Sequence, residues 1–388
     1  DLRDDLGIPI VSKDVLTIIS FIVPGVDLTV NGQDGKDEVV IAGPVTAEDV
    51  TINAETITVT GTVNADNNII LTALALDDEG LPLVGDLVFT ASSTIVVSGA
   101  GELHGDDISL LADSNITIIN SNFDIGSINI AFAVGVSSAA VNVSGGVIDA
   151  DGNLSIEAKS TVTSTLTTVP DDAEDDNEDV DAAIASAILS STATVDISGG
   201  DIDAVGSATI KATNTVTANT TADGTTGDKG GTVGVTIVTG DTTATVSGGT
   251  LDAASVDISA TSTRTLNTTS NATKGGADDG ATADDQESEK RLKDPNKDSN
   301  SNDKATTSDG DLKFAAAVSV SVLTGDTKAR ITGGAVDSGG TLDVEATGTY
   351  TVTTVADGST TTGDGGIGIG AAAAIGYVDV ETLASIGG

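Results

Sequence analysis

Four aspartates recur at one position of an internal repeat. Asp149, Asp203, Asp252 and Asp337 each follow a Gly-Gly pair, one variable residue and an apolar residue. A row of carboxylates supplies the oxygen ligands that Ca²⁺ prefers, while an aspartate after a turn also caps backbone N–H groups. We expect each repeat to hold two strand layers, which would place successive aspartates ~10 Å apart. That separation favours turn capping and is too long for two carboxylates to share an ion directly.

A second candidate calcium site lies near the start of the chain. The segment Gly32-QDGKDEVV resembles a single RTX nonapeptide, with Gly35, Asp37 and Val39 at matching positions and Gln33 where the pattern has glycine. The resemblance implies Asp34 and Asp37 as Ca²⁺ ligands. RTX sites take ligands from consecutive turns, and the sequence holds one copy, so a polar hairpin turn is the favoured interpretation.

Two further acidic stretches are candidates for cation uptake. Asp294-PNKDSNSND places oxygen-bearing side chains at alternate positions, as in an EF-hand loop, but Ser299 stands where that loop needs glycine and no glutamate closes it. A solvated linker is the simpler interpretation. The run Asp171–Asp181 holds eight acids in eleven residues. It predicts a solvated tip that takes up cations if it is ordered.

Composition excludes several classes of function. The chain has 388 residues, 59 acidic against 16 basic side chains, one histidine and no cysteine, and its net charge is −43. That charge repels phosphate backbones and anionic lipids, so we expect neither nucleic-acid binding nor membrane insertion. The absence of Cys excludes disulfides and thiol chemistry, and His104 alone cannot form a histidine metal cluster. The apolar stretch Val15–Val23 is too short to span a bilayer.

The elements that would position these residues are strands. The Gly-Gly pairs begin at Gly145, Gly199, Gly248 and Gly333, which gives a unit of about 50 residues. Within each unit apolar and polar residues alternate, β-branched residues dominate, and glycines mark the corners. Two apolar columns align across the units, and their members are Ile148, Ile202, Leu251 and Val336, and Ile156, Ile210, Ile258 and Val344. This pattern predicts an all-β, parallel β-solenoid with a dry Val/Ile/Ala interior.

Long insertions occur at one phase of the repeat. In each unit a Thr-rich strand leads to an acidic or Gly-rich tip, and a strand of small residues leads back. Because insertions at one phase of a stacked array lie on one side, we predict projecting β-hairpins on a single flank. The chain then divides into a leading segment (1–25), regular coils (26–130) and coils with ~50-residue repeats and acidic hairpins (131–388), including a long loop at 271–313.

The early coils resemble a known family. Val50-TINAETITVTGTVNADNNIILTALAL has short strand–turn intervals with Asn at turns and resembles the filamentous-haemagglutinin type of repeat, over about residues 26–120. Residues 121–388 look like the repeat arrays of giant bacterial surface adhesins. The resemblance implies a right-handed parallel β-helix that is secreted and displayed on a bacterial surface.

A Thr-x-Thr pattern raises a different possibility. It recurs at Thr161/Thr163, Thr215/Thr217, Thr263/Thr265 and Thr349/Thr351. Ice-binding solenoids carry ranked threonines on a flat exposed face. Arg264 stands between two of these threonines, and a charged residue disfavours a core. We therefore predict that Arg264 faces outward and that the threonines face inward or against the hairpin partner, which disfavours ice binding.

The sequence favours a non-catalytic, structural role. We expect a segment of a very large secreted bacterial surface protein, an adhesin, stalk or fibre. Its acidic hairpins would keep it soluble or bridge to neighbours through divalent cations such as Ca²⁺. Its expected partners are neighbouring segments, copies of itself, and a host or neighbouring cell surface. A subunit of a homopolymeric filament or surface layer is the alternative. A polysaccharide lyase is disfavoured because the sparse basic residues form no repeated cluster with acids.

Overall fold

The chain is built from strands. A computed structural model describes residues 5–10, 15–32, 36–76, 88–119, 122–125, 128–168, 181–224, 229–272, 312–359 and 367–387. This part of the chain forms 26 strands and no helix, which confirms the all-β prediction. The described residues therefore contain no helix that is long and apolar enough to cross a membrane.

The strands are short at first and long later. Those of the first third are β1 (Asp5–Ile10), β2 (Val15–Ile18), β3 (Phe21–Ile22), β4 (Asp27–Gly32), β5 (Glu38–Ile41), β6 (Val45–Ala47), β7 (Val50–Ala54), β8 (Thr56–Val59), β9 (Thr62–Ala65), β10 (Ile69–Leu76), β11 (Val88–Val97), β12 (Glu102–Gly105) and β13 (Ile108–Ile119). The remainder are β14 (Asn122–Ile125), β15 (Ile128–Ala150), β16 (Leu154–Thr168), β17 (Asp181–Asp223), β18 (Lys229–Thr239), β19 (Thr242–Val246), β20 (Thr250–Asn271), β21 (Leu312–Thr324), β22 (Thr327–Ile331), β23 (Ala335–Ser338), β24 (Leu342–Asp357), β25 (Ile367–Asp379) and β26 (Thr382–Ile386).

Parallel pairing arranges the strands in columns. Column A runs through β1, β4, β7, β10, β13, β16, the end of β17, β20 and β24. Column B runs from β2 through β5, β8, β11, β15, β17, β19 and β22 to β26. Column C runs from β3 through β6, β9, β12, β15, β17 and β20 to β23. We call one traverse of A, B and C a pass.

Later passes add a fourth column between A and B. This column D contains parts of β11, β15 and β17, and then β18, β21 and β25. Column A strands lead out to the insertions and column D strands lead back. Their ends are aligned from pass to pass, for example Thr168 with Ala222 and Asp181 with Gly230. The insertions therefore leave from one flank of the sheet.

The predicted β-hairpins are wrong in their pairing. Outgoing and returning strands pair in parallel with their counterparts in adjacent passes and not with each other. Among the described strands the exception is β14, which pairs antiparallel with the start of β15. Columns A and D thus form two facing sheets, a lobe whose interior is lined by Leu166, Leu189, Leu266 and small residues.

The predicted two strand layers per repeat are also wrong. Ile148 pairs with Ile202, Ile202 with Leu251 and Leu251 with Val336, so one ~50-residue unit makes one pass. The alternation of the sequence fixes which side chains point inward, but it does not fix which strand becomes the hydrogen-bonded neighbour. The apolar columns themselves are confirmed as parts of the main core, which includes Ile52, Leu103 and Ile156.

Glycines form the corners between columns B and C, as predicted. Gly146 and Gly200 have φ of +87° and +103°, a region that side-chain-bearing residues rarely adopt. A Cβ at Gly146 would lie 2.1 Å from the carbonyl oxygen of Gly101 in the preceding pass. Successive corners are therefore stacked too closely for any other residue.

Candidate functional sites

The recurring aspartates form a ladder on the outer face of column C. Asp149 pairs with Asp203, Asp203 with Asp252 and Asp252 with Asp337, and all four are exposed. Adjacent members are one strand spacing apart, about 4.8 Å and not ~10 Å, so the distance argument against a shared ion was wrong. His104 continues the ladder, and its Nδ1 lies 3.4 Å from Asp149 Oδ2.

Turn capping is carried out by other residues. The backbone N–H of Asn68 donates to Asp49 Oδ1 at 2.9 Å, and that of Asn153 donates to Asp107 Oδ1 at 2.6 Å. These residues lie at the corner between columns C and A, whereas the ladder aspartates lie within strands. The capping interpretation of the ladder was wrong because the strand continues through it.

The ladder concentrates negative charge. Desolvation, followed by repulsion from Asp252, Asp149 and Asp201, raises the pKa of Asp203. A cation or a proton would relieve this repulsion. In the described part of the chain no group of three or more His, Cys, Asp or Glu side chains is arranged to hold one metal ion. The ladder therefore offers pairs of carboxylates between adjacent passes and not an enclosed site.

Asp37 is the most enclosed carboxylate among the described residues. Its side chain is 1% exposed, and neither oxygen has a hydrogen-bond partner among the described residues. Its backbone N–H donates to Glu55 Oε2 at 2.6 Å, which brings a second carboxylate alongside. An uncompensated buried carboxylate is costly, so this position fits a bound cation. Asp34, the other predicted ligand, lies outside the described residues, as do the tip at 171–180 and the 294–303 loop.

A chain of hydroxyl groups crosses the interior, where we predicted a dry apolar core. Ser137 Oγ lies 2.8 Å from Ser114 Oγ and 2.7 Å from Ser160 Oγ, and Ser160 Oγ lies 2.8 Å from Ser191 Oγ. Ser191 in turn donates to Asn214 Oδ1 at 2.8 Å. All five side chains are buried, and they separate the main core from the lobe.

A second hydroxyl chain lies further out in the lobe. Its links are 2.7 to 2.8 Å long and alternate between columns A and D through Thr220, Thr236, Thr268, Ser321 and Thr354. Both chains consist of Ser, Thr and Asn residues that align from pass to pass at strand positions whose side chains point inward. The repeat alignment carries that signal, but we predicted a dry Val/Ile/Ala interior.

Arg264 points inward, contrary to the prediction. It is 1% exposed and donates to the carbonyl oxygens of Thr324, at 2.8 Å, and Gly240. Burial lowers the pKa of Arg264. It shares its column with Val162 and Val216, and the glycine at position 240, where the preceding pass has Ser191, leaves room for the longer side chain. The inward-facing position of Arg264 in the strand alternation therefore determined its orientation, despite its charge.

The Thr-x-Thr residues consequently face outward. Four passes of column A present four positions each without a register shift, and in chain order these are Thr161, Thr163, Thr165 and Thr167; Thr215, Thr217, Asn219 and Thr221; Thr263, Thr265, Asn267 and Thr269; and Thr349, Thr351, Thr353 and Val355. Thirteen of the sixteen are threonine and none is charged. We call this grid the threonine face.

The opposite, column D side of the lobe is apolar. Its outward residues include Val136, Ile184, Ile188 and Val233, which are 36–40% exposed although they are large hydrophobics. Adjacent passes align them, as Ile184 with Val233. Contiguous exposed apolar surface of this kind is a candidate contact surface. The lobe therefore has two different outer faces.

Basic residues lie beside acids more often than the sequence indicated. Lys159 Nζ lies 2.9 Å from Asp113 Oδ2, and Lys211 Nζ lies 3.6 Å from Glu157 Oε1. Lys328 contacts Asp326 and lies 2.7 Å from Glu381 Oε2, and both acids raise its pKa. Each is an ion pair within or between adjacent passes.

Comparison with protein-family models, with curated proteins and with solved structures finds no match to this chain.

Proposed function

We propose that this chain is a structural, non-catalytic segment of a very large secreted bacterial surface protein, an adhesin, and that its passes wind as a right-handed parallel β-solenoid. Parallel strands joined by crossovers are right-handed in almost every known case, which supports the handedness. The observation that carries the functional proposal is the repetition itself. The same residue types return at the same positions in pass after pass, and they build continuous outer faces rather than one unique constellation.

Antibodies raised against the 388-residue chain provide the test. On intact cells of the producing bacterium we expect surface labelling that external protease removes. Labelling that requires permeabilised cells would overturn the assignment to the surface. An antibody against a cytoplasmic protein of the same cells serves as the control for leakage.

We further propose that Ca²⁺ binds at Asp37, with Asp34 as a second ligand. The buried carboxylate of Asp37, which has no hydrogen-bond partner among the described residues, supports this proposal. A ligand that binds the native state alone raises the melting temperature with concentration. We expect Ca²⁺ to stabilise the wild-type chain and to have a much smaller effect on Asp37→Asn. Asp66→Asn is the matched control, and equal Ca²⁺ responses of all three proteins would exclude this site.

The homopolymer alternative is favoured by one specific observation, the apolar column D face. We propose that copies of the chain, or neighbouring segments of the parent protein, pack through this face. Sedimentation analysis of the wild type should reveal concentration-dependent association, and Ile184→Lys combined with Ile188→Lys should abolish it. A monomeric wild type at high concentration would eliminate this alternative and leave the adhesin proposal standing.

A further inference from the structure

We propose that the threonine face binds the surface of ice. This proposal does not depend on where the parent protein resides. It rests on four properties of the face: its outward orientation, its regular spacing, its lack of charge and its restricted side chains.

The spacing is fixed by the sheet in both directions. Paired threonines such as Thr163, Thr217, Thr265 and Thr351 follow one another at the strand spacing of ~4.8 Å, and alternate residues along a strand are ~6.6 Å apart. Because the pairing contains no register shift here, the columns stay straight over an area of about 14 Å by 20 Å. The face is therefore a regular two-dimensional array of hydroxyl groups, the kind of repeating surface that a crystalline partner such as ice also presents.

The chemistry of the face fits an uncharged crystalline partner. The chain carries a net charge of −43, yet none of the sixteen grid positions is charged. Charged partners such as anionic polymers and lipid headgroups would therefore find no complementary group there. Each threonine offers one hydroxyl, which both donates and accepts hydrogen bonds, and one methyl group. Such a surface can hold water in a repeating pattern, as an ice plane does.

The threonine side chains are preorganised. β-Branching restricts χ1, so the hydroxyl groups lose little freedom when they meet a rigid lattice. Neighbouring side chains within each column further limit their rotamers. In addition, the Asn267 amide donates to Asn219 Oδ1 at 2.9 Å, which fixes two of the non-threonine members of the grid.

The experiment uses the full chain and three variants. Thr217→Tyr places a bulky ring at the centre of the face, and Thr265→Arg places a long, charged side chain at the paired position of the next pass. Thr192→Tyr is the matched control, because Thr192 points outward from β17 between its column D and column B parts, away from the threonine face. Far-ultraviolet circular dichroism establishes that each protein retains its β-sheet, and binding is measured as incorporation into slowly growing ice and as thermal hysteresis.

We expect the wild type and Thr192→Tyr to enter the ice and to depress its growth temperature, and both face variants to fall to background. If one face variant fails to fold, the other decides. A folded wild type that is excluded from ice would overturn the proposal, as would equal binding by all four proteins. Adsorption to powdered crystalline cellulose or chitin, without adsorption to ice, would also overturn it and assign the face to polysaccharide. Surface labelling of cells is unaffected by each of these outcomes.

Discussion

At the scale of single residues, Arg264 links two passes through hydrogen bonds. Its guanidinium donates to carbonyl oxygens that lie 24 and 60 residues away in sequence. Arg264→Met keeps most of the volume but removes the donors, and Arg264→Val removes both. Since each buried carbonyl left without a donor costs about 1–3 kcal/mol, we expect both variants to unfold at lower urea concentration, Val more than Met.

The control for this comparison is Lys211→Val, which removes a surface ion pair with Glu157. Such pairs contribute about 0–1 kcal/mol, so its urea midpoint should stay close to that of the wild type. An Arg264→Met protein as stable as the wild type would mean that desolvation of the guanidinium cancels its hydrogen bonds.

The aspartate ladder predicts a stability change of the opposite sign. Because the pKa of Asp203 is raised in the folded chain, its ionised form opposes folding at neutral pH, and this cost is relieved as the pH falls towards the raised pKa. Asp203→Asn should therefore raise the melting temperature at pH 7 and weaken its dependence on acid pH. Asp113→Asn should lower it, because Asp113 pairs with Lys159. Equal shifts in both variants would contradict the repulsion argument.

At the scale of the elements, the hydroxyl chain links columns A and D. Ser160 is buried and bonded to serines of two different passes. We expect Ser160→Ala to destabilise the chain by about 1–3 kcal/mol, because two buried hydroxyl groups lose a partner. Thr192→Ala, at an outward position, should remain within about 0.5 kcal/mol of the wild type. Urea unfolding measures both, and a neutral Ser160→Ala would mean that Ser137 and Ser191 re-pair directly.

The sequence predicted the strands, the inward columns and the glycine corners, since alternation and turn chemistry are local properties. It did not predict that Leu166 of an outgoing strand faces the returning strands across an apolar lobe, because pairing partners are chosen by non-local packing. The prediction for Arg264 was wrong because it gave more weight to the charge of the residue than to the inward-facing column in which the residue lies. That single error reversed the predicted orientation of Thr263 and Thr265, so the threonine face emerged only when the column was seen in the fold.

At the scale of the whole molecule, the chain gains little length per residue. Nine column A strands stacked at ~4.8 Å span only about 40 Å, whereas β24 alone, with 16 residues, extends for about 50 Å sideways. A stalk built this way would need very many residues to project far from a cell. The later passes instead use their residues to widen the lobe. This favours a role in presenting wide outer surfaces over a role in extending far from a cell.

The outermost pass provides the last prediction. Among the described strands none pairs with the free side of β24, β25 and β26, and Ile386 is 65% exposed although its partner Ile331 is 7% exposed. Unpaired N–H groups on an edge strand exchange with solvent, while both sides of β16 are paired. Hydrogen-exchange mass spectrometry of the dilute chain should therefore show faster exchange in β24–β26 than in β16.

Protein concentration then separates the two kinds of assembly. If copies stack edge to edge, protection of β24–β26 should rise with concentration, because each added copy supplies the missing hydrogen-bond partners. If copies pack through the apolar column D face, β24–β26 should exchange at a constant rate while the Ile184→Lys and Ile188→Lys combination alters sedimentation. Full protection of β24–β26 in a dilute monomer would contradict the open edge, because amides that lack a strand partner cannot resist exchange on their own.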